Sequence, residues 1–375
     1  MGLFEERWER IKAAIALEPV DKAPVISGSA AYNATACNVP LAEYISDMEL
    51  NCTCNLKGTQ MAGDIDGVQS TLMSPYVLPG MWLSQVSVPG VDLSDNELWQ
   101  IREQELITQD DYHTILEVGF EEWSQKFIVE KLGNPNEKLK DFFAYAPIAA
   151  KRFREAEIPC IKSGNMCSPF EMLCGGRSME AFLMDDLLEE PELLDEVFAV
   201  IHKYNMEKFT KQFESDRKPF GIWVGGWRGT PSTLNPAMFE HFSWKYFRDM
   251  VDLCINYGVV PIMHLDSCWD LGLKYFTDIP KGKGILALDG KTSMKLAKEI
   301  VGENLCIMGD VPAEMLAFSK PEKVYDYVTN LLNIMGPVGY MVCSGCDVPF
   351  NARLENVQMM AKARDDFYKN CSKTA

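Results

Sequence analysis

A chain of 375 residues with a formal net charge of -18 and a pI near 4.7 is long enough for one large core, and it lacks the clustered basic residues that bind a nucleic-acid backbone. No window of 18 uncharged apolar residues occurs and the N-terminus lacks the apolar stretch of a signal peptide, so we expect a cytoplasmic protein without a membrane segment. Its 12 cysteines are expected to be reduced thiols, because disulfides concentrate in small secreted domains.

Short apolar runs alternate with helical patterns along the chain. A predicted helix over residues 5–17 comes first, and eight predicted strands follow it, at residues 23–28, 65–70, 158–163, 221–225, 259–264, 285–289, 305–309 and 340–344. Helices are predicted between them, at residues 178–184, 191–213, 236–257, 293–301 and 321–334. Alternating strands and helices form parallel sheets, so this α/β pattern at this length predicts a TIM (β/α)8 barrel with an N-terminal helix.

A long segment separates the second and third predicted strands. Residues 72–157 contain two Pro-Gly turns, aromatic side chains and a helical pattern over residues 112–131. No low-complexity linker or change of composition brackets this segment. We therefore expect one domain over residues 1–375, with 72–157 as a cap-like insertion in the barrel.

Metal-binding side chain types follow the later predicted strands. In (β/α)8 barrels the catalytic groups lie at the C-terminal ends of the strands. His264 and Asp266 are two residues apart at the end of the fifth strand and project to the same side, and Cys346 follows the eighth strand. Imidazole, carboxylate and thiolate are all zinc ligands, and three protein ligands leave one position for a substrate. We predict that His264, Asp266 and Cys346 bind Zn²⁺ and form the catalytic site.

Other assignments for these residue types remain open at this point. A histidine at a strand end is often a hydrogen-bonded core residue, and a single cysteine is often a small core hydrophobe. The third ligand could be Asp266, Cys268, Cys306 or Cys343, the last of which forms a CxxC pair with Cys346. The remaining histidines fall in helical patterns, where we expect surface or packing roles: His113, His202 and His241.

Several motifs, taken together, resemble the uroporphyrinogen decarboxylase superfamily, whose members are TIM barrels. The resemblance covers roughly residues 20–370 and rests on His264-x-Asp266, Gly309-Asp310-Val311-Pro312, Gly345-Cys346-Asp347-Val348-Pro349, Glu355-Asn356-Val357, Gly164-Asn165-Met166, Ser168-Pro169-Phe170-Glu171 and Thr233-Leu234-Asn235-Pro236. Decarboxylases of this superfamily need no metal and carry an arginine-rich substrate motif near the first strand. Here residues 27–33 contain no arginine.

A second branch of the superfamily, the cobalamin-dependent methyltransferases, binds zinc through His-x-Cys and a late Gly-Cys pair. In this chain Asp266 stands where that pattern has cysteine. Some members that cleave phenyl methyl ethers show the spacing Asp-x27-Cys-x39-Cys, which Asp278, Cys306 and Cys346 match. Asp278 precedes a predicted strand and Cys306 begins one, so we expect both at the opposite end of the barrel from Cys346.

The resemblance implies a zinc-dependent O-demethylase component. Such an enzyme transfers a methyl group from a small aromatic methyl ether to cob(I)alamin, the cobalamin (corrinoid) cofactor carried by a partner corrinoid protein; a homodimer is left open. The alternatives are a methylcobalamin:thiol methyltransferase of the coenzyme M type, a metal-free decarboxylase and a non-catalytic barrel. Substrate contacts are expected from six side chains, with core packing as the alternative role for the aromatic ones: Tyr32, Asn165, Phe170, Trp223, Trp227 and Asp310.

Overall fold

The fold was analysed in a computed structural model, which describes residues 2–374 and the side chains of residues 2–371. The strands are β1 (Ile26–Ser27), β2 (Gly67–Val68), β3 (Val86–Ser87), β4 (Gln100–Ile101), β5 (Asn165–Met166), β6 (Gly221–Gly226), β7 (Val260–Leu265), β8 (Ile285–Leu288), β9 (Cys306–Val311) and β10 (Tyr340–Ser344).

Helices surround these strands. They are α1 (Leu3–Ile15), α2 (Tyr32–Ala36), α3 (Leu41–Ser46), α4 (Met48–Met61), α5 (Leu78–Trp82), α6 (Gln109–Val118), α7 (Phe120–Glu130), α8 (Pro135–Lys138), α9 (Lys140–Glu155), α10 (Pro169–Arg177), α11 (Met179–Ala181), α12 (Pro191–Phe213), α13 (Pro236–Met238), α14 (Lys245–Asn256), α15 (Met294–Val301), α16 (Ala313–Phe318), α17 (Pro321–Met335) and α18 (Leu354–Thr374). Within residues 2–374 no helix combines the length and apolar character needed to cross a bilayer.

Parallel strands form a closed ring, as the sequence predicts. Six of them are hydrogen-bonded in the order β10-β9-β8-β7-β6-β5, and β1 pairs in parallel with β2. Two parallel bridges join these groups, one between Val25 and Val342 and the other between Val68 and Cys160. The predicted α/β barrel with its N-terminal helix and long insertion is therefore confirmed.

The predicted strands and long helices lie close to the observed ones. The apolar run 158–163 is the least regular of them, because it makes only one bridge to β2 before the ladder with β6 forms at Asn165 and Met166. Helix α12 has the predicted bounds, with proline at its first position, where the missing N–H has no helical partner. Its apolar residues recur every three or four positions and are buried.

The barrel interior and the outer core are separate apolar clusters. The interior contains alternate strand residues such as Ile262, Ile285 and Met341, together with Ile11 and Ile15 of α1, which closes the N-terminal end of the ring. The intervening strand residues point outward and pack against the surrounding helices. This alternation decides which strand side chains can reach the opposite, C-terminal mouth.

The insertion packs closely on the barrel through helix α10. A Cβ at Gly175 would lie 2.1 Å from the carbonyl oxygen of Trp82, and one at Gly176 would lie 2.7 Å from that of Leu83. These contacts bring Trp82 to Trp227, with ring centroids 5.0 Å apart, in the loop that follows β6. These contacts agree with the prediction that residues 72–157 cover the mouth like a cap. That role stays a prediction.

Candidate metal centre

His264 faces the barrel interior because it lies two residues beyond Ile262. Ile262 belongs to the interior cluster, and residues two apart in a strand share a side of the sheet. In the parallel register His264 lies between Gly225 of β6 and Ala287 of β8. Both neighbours are small, so the imidazole has room at the mouth, where it is 8% exposed.

Backbone hydrogen bonds hold Asp266 just beyond the end of β7. Its N–H donates to the carbonyl of Gly226 at 3.0 Å, which continues the β6–β7 ladder by one residue. Its carbonyl accepts from the indole Nε1 of Trp269 at 2.8 Å. With its backbone bonded on both sides, the Asp266 carboxylate has a restricted range of positions, and its Oδ1 lies 3.4 Å from Nε2 of His264.

Cys346 reaches the same place from β10 because Gly345 passes close to the loop after β8. A Cβ at Gly345 would lie 2.4 Å from the carbonyl oxygen of Asp289, so only glycine permits this approach. The N–H of Gly345 donates to Val311 at 2.9 Å and that of Val348 to Gly28 at 2.8 Å. These bonds direct the exposed thiol of Cys346 toward the end of β7.

Three ligand atoms from these residues form a compact cluster. The side-chain donor atoms of His264, Asp266 and Cys346 all lie within 4.8 Å of one another. Burial by itself lowers the pKa of His264, but the hydrogen bonds and negative charges of Asp266 and Cys346 outweigh it and raise the pKa to about 10. The surroundings of the imidazole thus favour a positive charge at this point.

The cluster has the chemistry of a zinc site. It offers nitrogen, oxygen and sulfur, one donor from each residue, and its two acidic groups match the charge of a divalent cation. His264 is buried, Asp266 is half-buried and Cys346 is exposed, so a further ligand could approach the cluster from the mouth. The residues present therefore fit the metal that the sequence predicts.

The other proposed ligands lie outside this cluster. Among residues 2–371 the grouping of metal-capable side chains contains only His264, Asp266 and Cys346. Cys343 is buried in the interior and its thiol is bonded by Gln69 at 3.6 Å. Cys306 packs in the cluster that α1 closes, and Asp278 is exposed and paired with Arg248 at 2.5 Å.

Asp278 and Cys306 thus lie at the end of the barrel opposite Cys346, as predicted from the sequence. Because neither residue joins Cys346, the Asp-x27-Cys-x39-Cys spacing does not describe a metal site here. The exposed thiol of Cys268 also stays outside the grouping.

The three histidines predicted to lie in helices do so: His113 is on α6, His202 is on α12 and His241 is on the π-helix Phe239–Trp244. Two of them bind nearby aspartates, His202 to Asp249 at 3.0 Å and His241 to Asp195 at 2.6 Å.

One predicted substrate residue, Trp223, lies directly beside the cluster. The ring of Trp223 is half-buried, with its centroid 5.8 Å from that of His264, and it covers Gly225, where a Cβ would lie 1.8 Å from Cη2 of the indole. Asn165 is the register partner of Trp223 on β5. Trp227 lies further out, between Trp82 of the insertion and the guanidinium of Arg228, which is 4.1 Å from its ring centroid.

The remaining predicted substrate residues are packed into the protein. Phe170 has no exposed surface and contacts Phe182 and Phe198 edge-on in the outer core, which agrees with the alternative role of core packing; its substrate role stays a prediction. Asp310 is buried, and its Oδ1 accepts a hydrogen bond of 2.9 Å from Tyr327 of α17. Burial raises the pKa of Asp310 to about 6.

Tyr32 is 2% exposed, and burial raises its pKa to about 12. Its hydroxyl lacks a hydrogen-bond partner among the described residues. A substrate role for Tyr32 or Asp310 stays a prediction.

Comparison with known proteins identifies the family. The model of the uroporphyrinogen decarboxylase (URO-D) family matches residues 125–367, which is more than half of the chain. The chain belongs to the URO-D family. Its resemblance to that superfamily, inferred from the motifs, is confirmed at this level.

Two curated relatives are uroporphyrinogen decarboxylases. That of Sulfurimonas denitrificans is 25% identical over 181 residues, which are 47% of this chain and 49% of the relative. That of a Sulfurovum species is 26% identical over 179 residues, covering 46% and 48%. The chain thus spans about half the length of the curated relatives it matches.

A solved structure shows the same fold over nearly the whole chain. It is a methyltransferase from Methanosarcina mazei, with a TM-score of 0.70 and 18% sequence identity, and the match covers 96% of this chain and 98% of that one. At this identity the similarity establishes the (β/α)8 fold and nothing finer.

Two acidic residues near the mouth were not predicted. Glu171 is buried, and its carboxylate accepts hydrogen bonds of 2.9 to 3.1 Å from the backbone N–H groups of Trp227, Arg228 and Gly229. Asp347 directly follows Cys346 and is exposed, and its position next to a predicted ligand was the available signal.

Proposed function

We propose that this protein is a zinc-dependent methyltransferase that demethylates a phenyl methyl ether and passes the methyl group to cob(I)alamin on a partner corrinoid protein. The observation that carries the proposal is the His264, Asp266 and Cys346 cluster, with donor atoms within 4.8 Å, at the mouth of a URO-D barrel. Membership of an enzyme family and a fold shared with a methyltransferase support it.

The chain's own residues would hold the metal and position the ether. His264, Asp266 and Cys346 would bind zinc, and Trp223 offers a half-buried aromatic face beside them. When bound, zinc supplies a Lewis acid that favours departure of a phenolate. Asp266 in place of a second thiolate leaves less electron density on the metal, which suits an ether oxygen better than a thiol.

We expect the methyl acceptor to be carried by a partner protein. The sequence lacks an Asp-x-His-x-x-Gly cobalamin motif, and the exposed side of the cluster faces the open mouth. A corrinoid protein docked over the mouth would present its cofactor there.

Tetrapyrrole decarboxylation is the second candidate, because both curated relatives carry that name. The charges at the mouth disfavour it. The charge of Asp266 raises the pKa of both Asp289 and Asp347 there, and residues 27–33 contain no arginine that could bind substrate carboxylates. A substrate with several carboxylates would meet like charges, which repel it.

The metal assignment is tested by zinc content. Wild-type protein should contain close to one zinc per chain by plasma mass spectrometry, and His264→Ala and Cys346→Ala should lose it. Cys268→Ala is the matched control, because this exposed thiol is two residues from Asp266 but outside the cluster. Full zinc retention in both ligand variants would contradict the assignment.

Direction and substrate class are tested by spectroscopy. Zinc-loaded protein with cob(I)alamin and methoxyarenes should yield methylcobalamin and a phenol. Activity only from methylcobalamin to thiols would favour the coenzyme M type of enzyme instead. Release of carbon dioxide from uroporphyrinogen would favour the decarboxylase.

A further inference from the structure

A cavity of about 260 Å³ is formed by the insertion alone. Its walls come from the 3₁₀ turn Pro75–Val77, from α5, from the β3–β4 hairpin and from the segment that leads from α7 into α8. All of its lining residues lie between residues 76 and 138, so it shares no side chain with the His264, Asp266 and Cys346 cluster. Pockets for drug-sized ligands span roughly 300 to 1,000 Å³, so this cavity suits a smaller molecule.

Most of the residues that line the cavity are apolar. Pro79 and Pro135 are buried, Leu132 is 8% exposed, and Tyr76 and Val86 are half-buried. The side chains of proline, leucine and valine carry no hydrogen-bonding atom. This wall therefore favours the apolar part of a ligand, whose transfer from water is favourable.

Hydrogen bonds hold the two sides of the cavity in place. Gln85, beside β3, donates from Nε2 to the carbonyl of Lys131 at 2.7 Å, which joins the hairpin to the end of α7. Its Oε1 accepts from Gln104 at 2.9 Å. The Arg102 guanidinium is oriented by hydrogen bonds from Nε to Ser87 at 2.8 Å and from Nη1 to Gln85 at 3.3 Å. The cavity is thus organised before a ligand binds, which lowers the entropic cost of binding.

Both charged lining residues are cations, Arg102 and Lys138. Among the described residues no carboxylate lines the cavity, although the chain has 54 acidic and 36 basic residues. A guanidinium has five N–H groups, and the hydrogen bonds to Ser87, Gln85 and Asp92 use three of them. The Lys138 ammonium forms no hydrogen bond or ion pair within the described part of the chain. Donors of both residues are therefore left for an anion.

We propose that this cavity binds a small carboxylate with an apolar body. The carboxylate would accept hydrogen bonds from Arg102 and Lys138, and the body would pack against Leu132 and Pro135. Hydrogen bonds between ionised groups are stronger than those between neutral groups, whereas a cationic ligand would meet two like charges. The inference goes beyond the proposed function and does not depend on it, because the cavity lies outside the metal cluster.

Isothermal titration calorimetry of the full chain near neutral pH tests the requirement for charge. Benzoate is an anion, benzamide is neutral and benzylamine is a cation, and all three carry the same ring. Benzoate should bind about tenfold more tightly than benzamide, as expected for hydrogen bonds to charged groups, and benzylamine should not bind. Sulfate, an anion without an apolar body, should bind more weakly than benzoate. Equal affinity for benzamide or sulfate, or no binding of benzoate, would overturn the inference.

Lys138→Met and Arg102→Gln test the two donors. Each should weaken benzoate binding about tenfold. Lys138→Met removes no hydrogen bond among the described residues, so it should keep the native fold even where Arg102→Gln disturbs the hairpin. Lys140→Met is the matched control, because Lys140 is also exposed but pairs with Glu137 at 2.5 Å and does not line the cavity. This control should keep the wild-type affinity.

Cys346→Ala separates this cavity from the metal centre, where zinc would also attract a carboxylate. The variant should lack zinc and bind benzoate with wild-type affinity. Loss of benzoate binding in Cys346→Ala, unchanged binding in Lys138→Met, or an equal loss in Lys140→Met would each overturn the inference. Because these titrations measure no methyl transfer, the carboxylate site and the proposed function can fail independently.

Discussion

At the level of single residues, Asp266 is the proposed zinc ligand at which this chain departs from a His-x-Cys pattern. Its carboxylate lies 3.4 Å from His264, and its backbone is bonded on both sides. A hard oxygen donor and a thiolate place different amounts of electron density on zinc. The identity of this ligand should therefore affect the reaction more than it affects metal retention.

Replacement of Asp266 by two residue types separates these effects. Asp266→Cys should keep zinc, because thiolate is a ligand, but should lower methyl transfer from ethers about tenfold or more. Asp266→Asn should lower the zinc content, because the neutral amide is a weaker donor. Zinc analysis and the absorbance of methylcobalamin measure both quantities.

Asp278→Asn is the control, since this exposed aspartate shares the family spacing with Cys306 but pairs with Arg248. It should change neither zinc content nor activity. Loss of zinc from Asp278→Asn would instead support the spacing as a ligand set.

At the scale of elements, helix α10 organises the loop after β6. Its Glu171 accepts three backbone N–H groups of that loop, and its glycines contact the insertion. Burial raises the pKa of Glu171 to about 7, although these backbone bonds lower it. The loop and the insertion are therefore both held through α10.

Stability should depend on pH through Glu171. The folded protein binds this proton more tightly than the unfolded chain, whose pKa is near 4.5, so the stabilisation is full below pH 4.5 and is lost as the pH rises through about 7. The free energy of unfolding of wild type minus that of Glu171→Gln should fall across this window. Urea titrations at several pH values measure it.

The matched control for this pH effect is Glu299→Gln, which changes an exposed glutamate on α15. The free energy of unfolding of wild type minus that of Glu299→Gln should vary less with pH. If the difference in free energy of unfolding from wild type varied equally with pH for Glu171→Gln and Glu299→Gln, the assignment to Glu171 would be contradicted.

A pair of glycine variants tests the contact between the insertion and α10. Gly175→Ala places a methyl group 2.1 Å from a backbone oxygen of Trp82, so the insertion must shift. We expect a loss of about 1 to 3 kcal/mol of stability, faster proteolysis within residues 72–157 and weaker substrate binding. Gly80→Ala lies in the same insertion with nothing within 4 Å of the new methyl group and should show none of these effects. Similar protease sensitivity of both variants would refute the contact.

At the scale of the whole molecule, a buried ion-pair network joins the two ends of the chain. Arg364 of α18 is 0% exposed and donates to Asp66 at 2.7 Å and to the carbonyl of Ala23 at 2.9 Å. Asp66 also accepts from Arg10 of α1 at 2.5 Å and from the N–H of Val25 at 2.8 Å. The network therefore connects the first and last helices to the start of the barrel.

Removal of Arg364 should destabilise the barrel strongly. Arg364→Met leaves the buried carboxylate of Asp66 with one cation fewer, which typically costs about 3 to 5 kcal/mol. Lys362→Met, on the same helix, breaks an exposed pair with Asp366 and should cost at most about 1 kcal/mol. Denaturant titrations measure both changes, and losses of equal size would contradict the role of the network.

The order of strands and helices, and with it the (β/α)8 barrel, can be predicted from the amino-acid sequence. This is possible because apolar periodicity and turn residues act locally: α12 begins at Pro191 as predicted, and β7 ends at the predicted ligands. The same local pattern placed His264 inside the barrel, since alternation follows from the strand alone.

Which side chains contact one another depends on the packing of the folded chain. Phe170 and Trp223 look alike in sequence, yet one packs against Phe198 while the other lies beside His264, because helix packing and strand register differ at the two positions. Glu171 is separated along the chain by α12 and β6 from the three N–H groups that it binds. These hydrogen bonds depend on the packing of α10 against the loop after β6, which no local pattern of residues encodes.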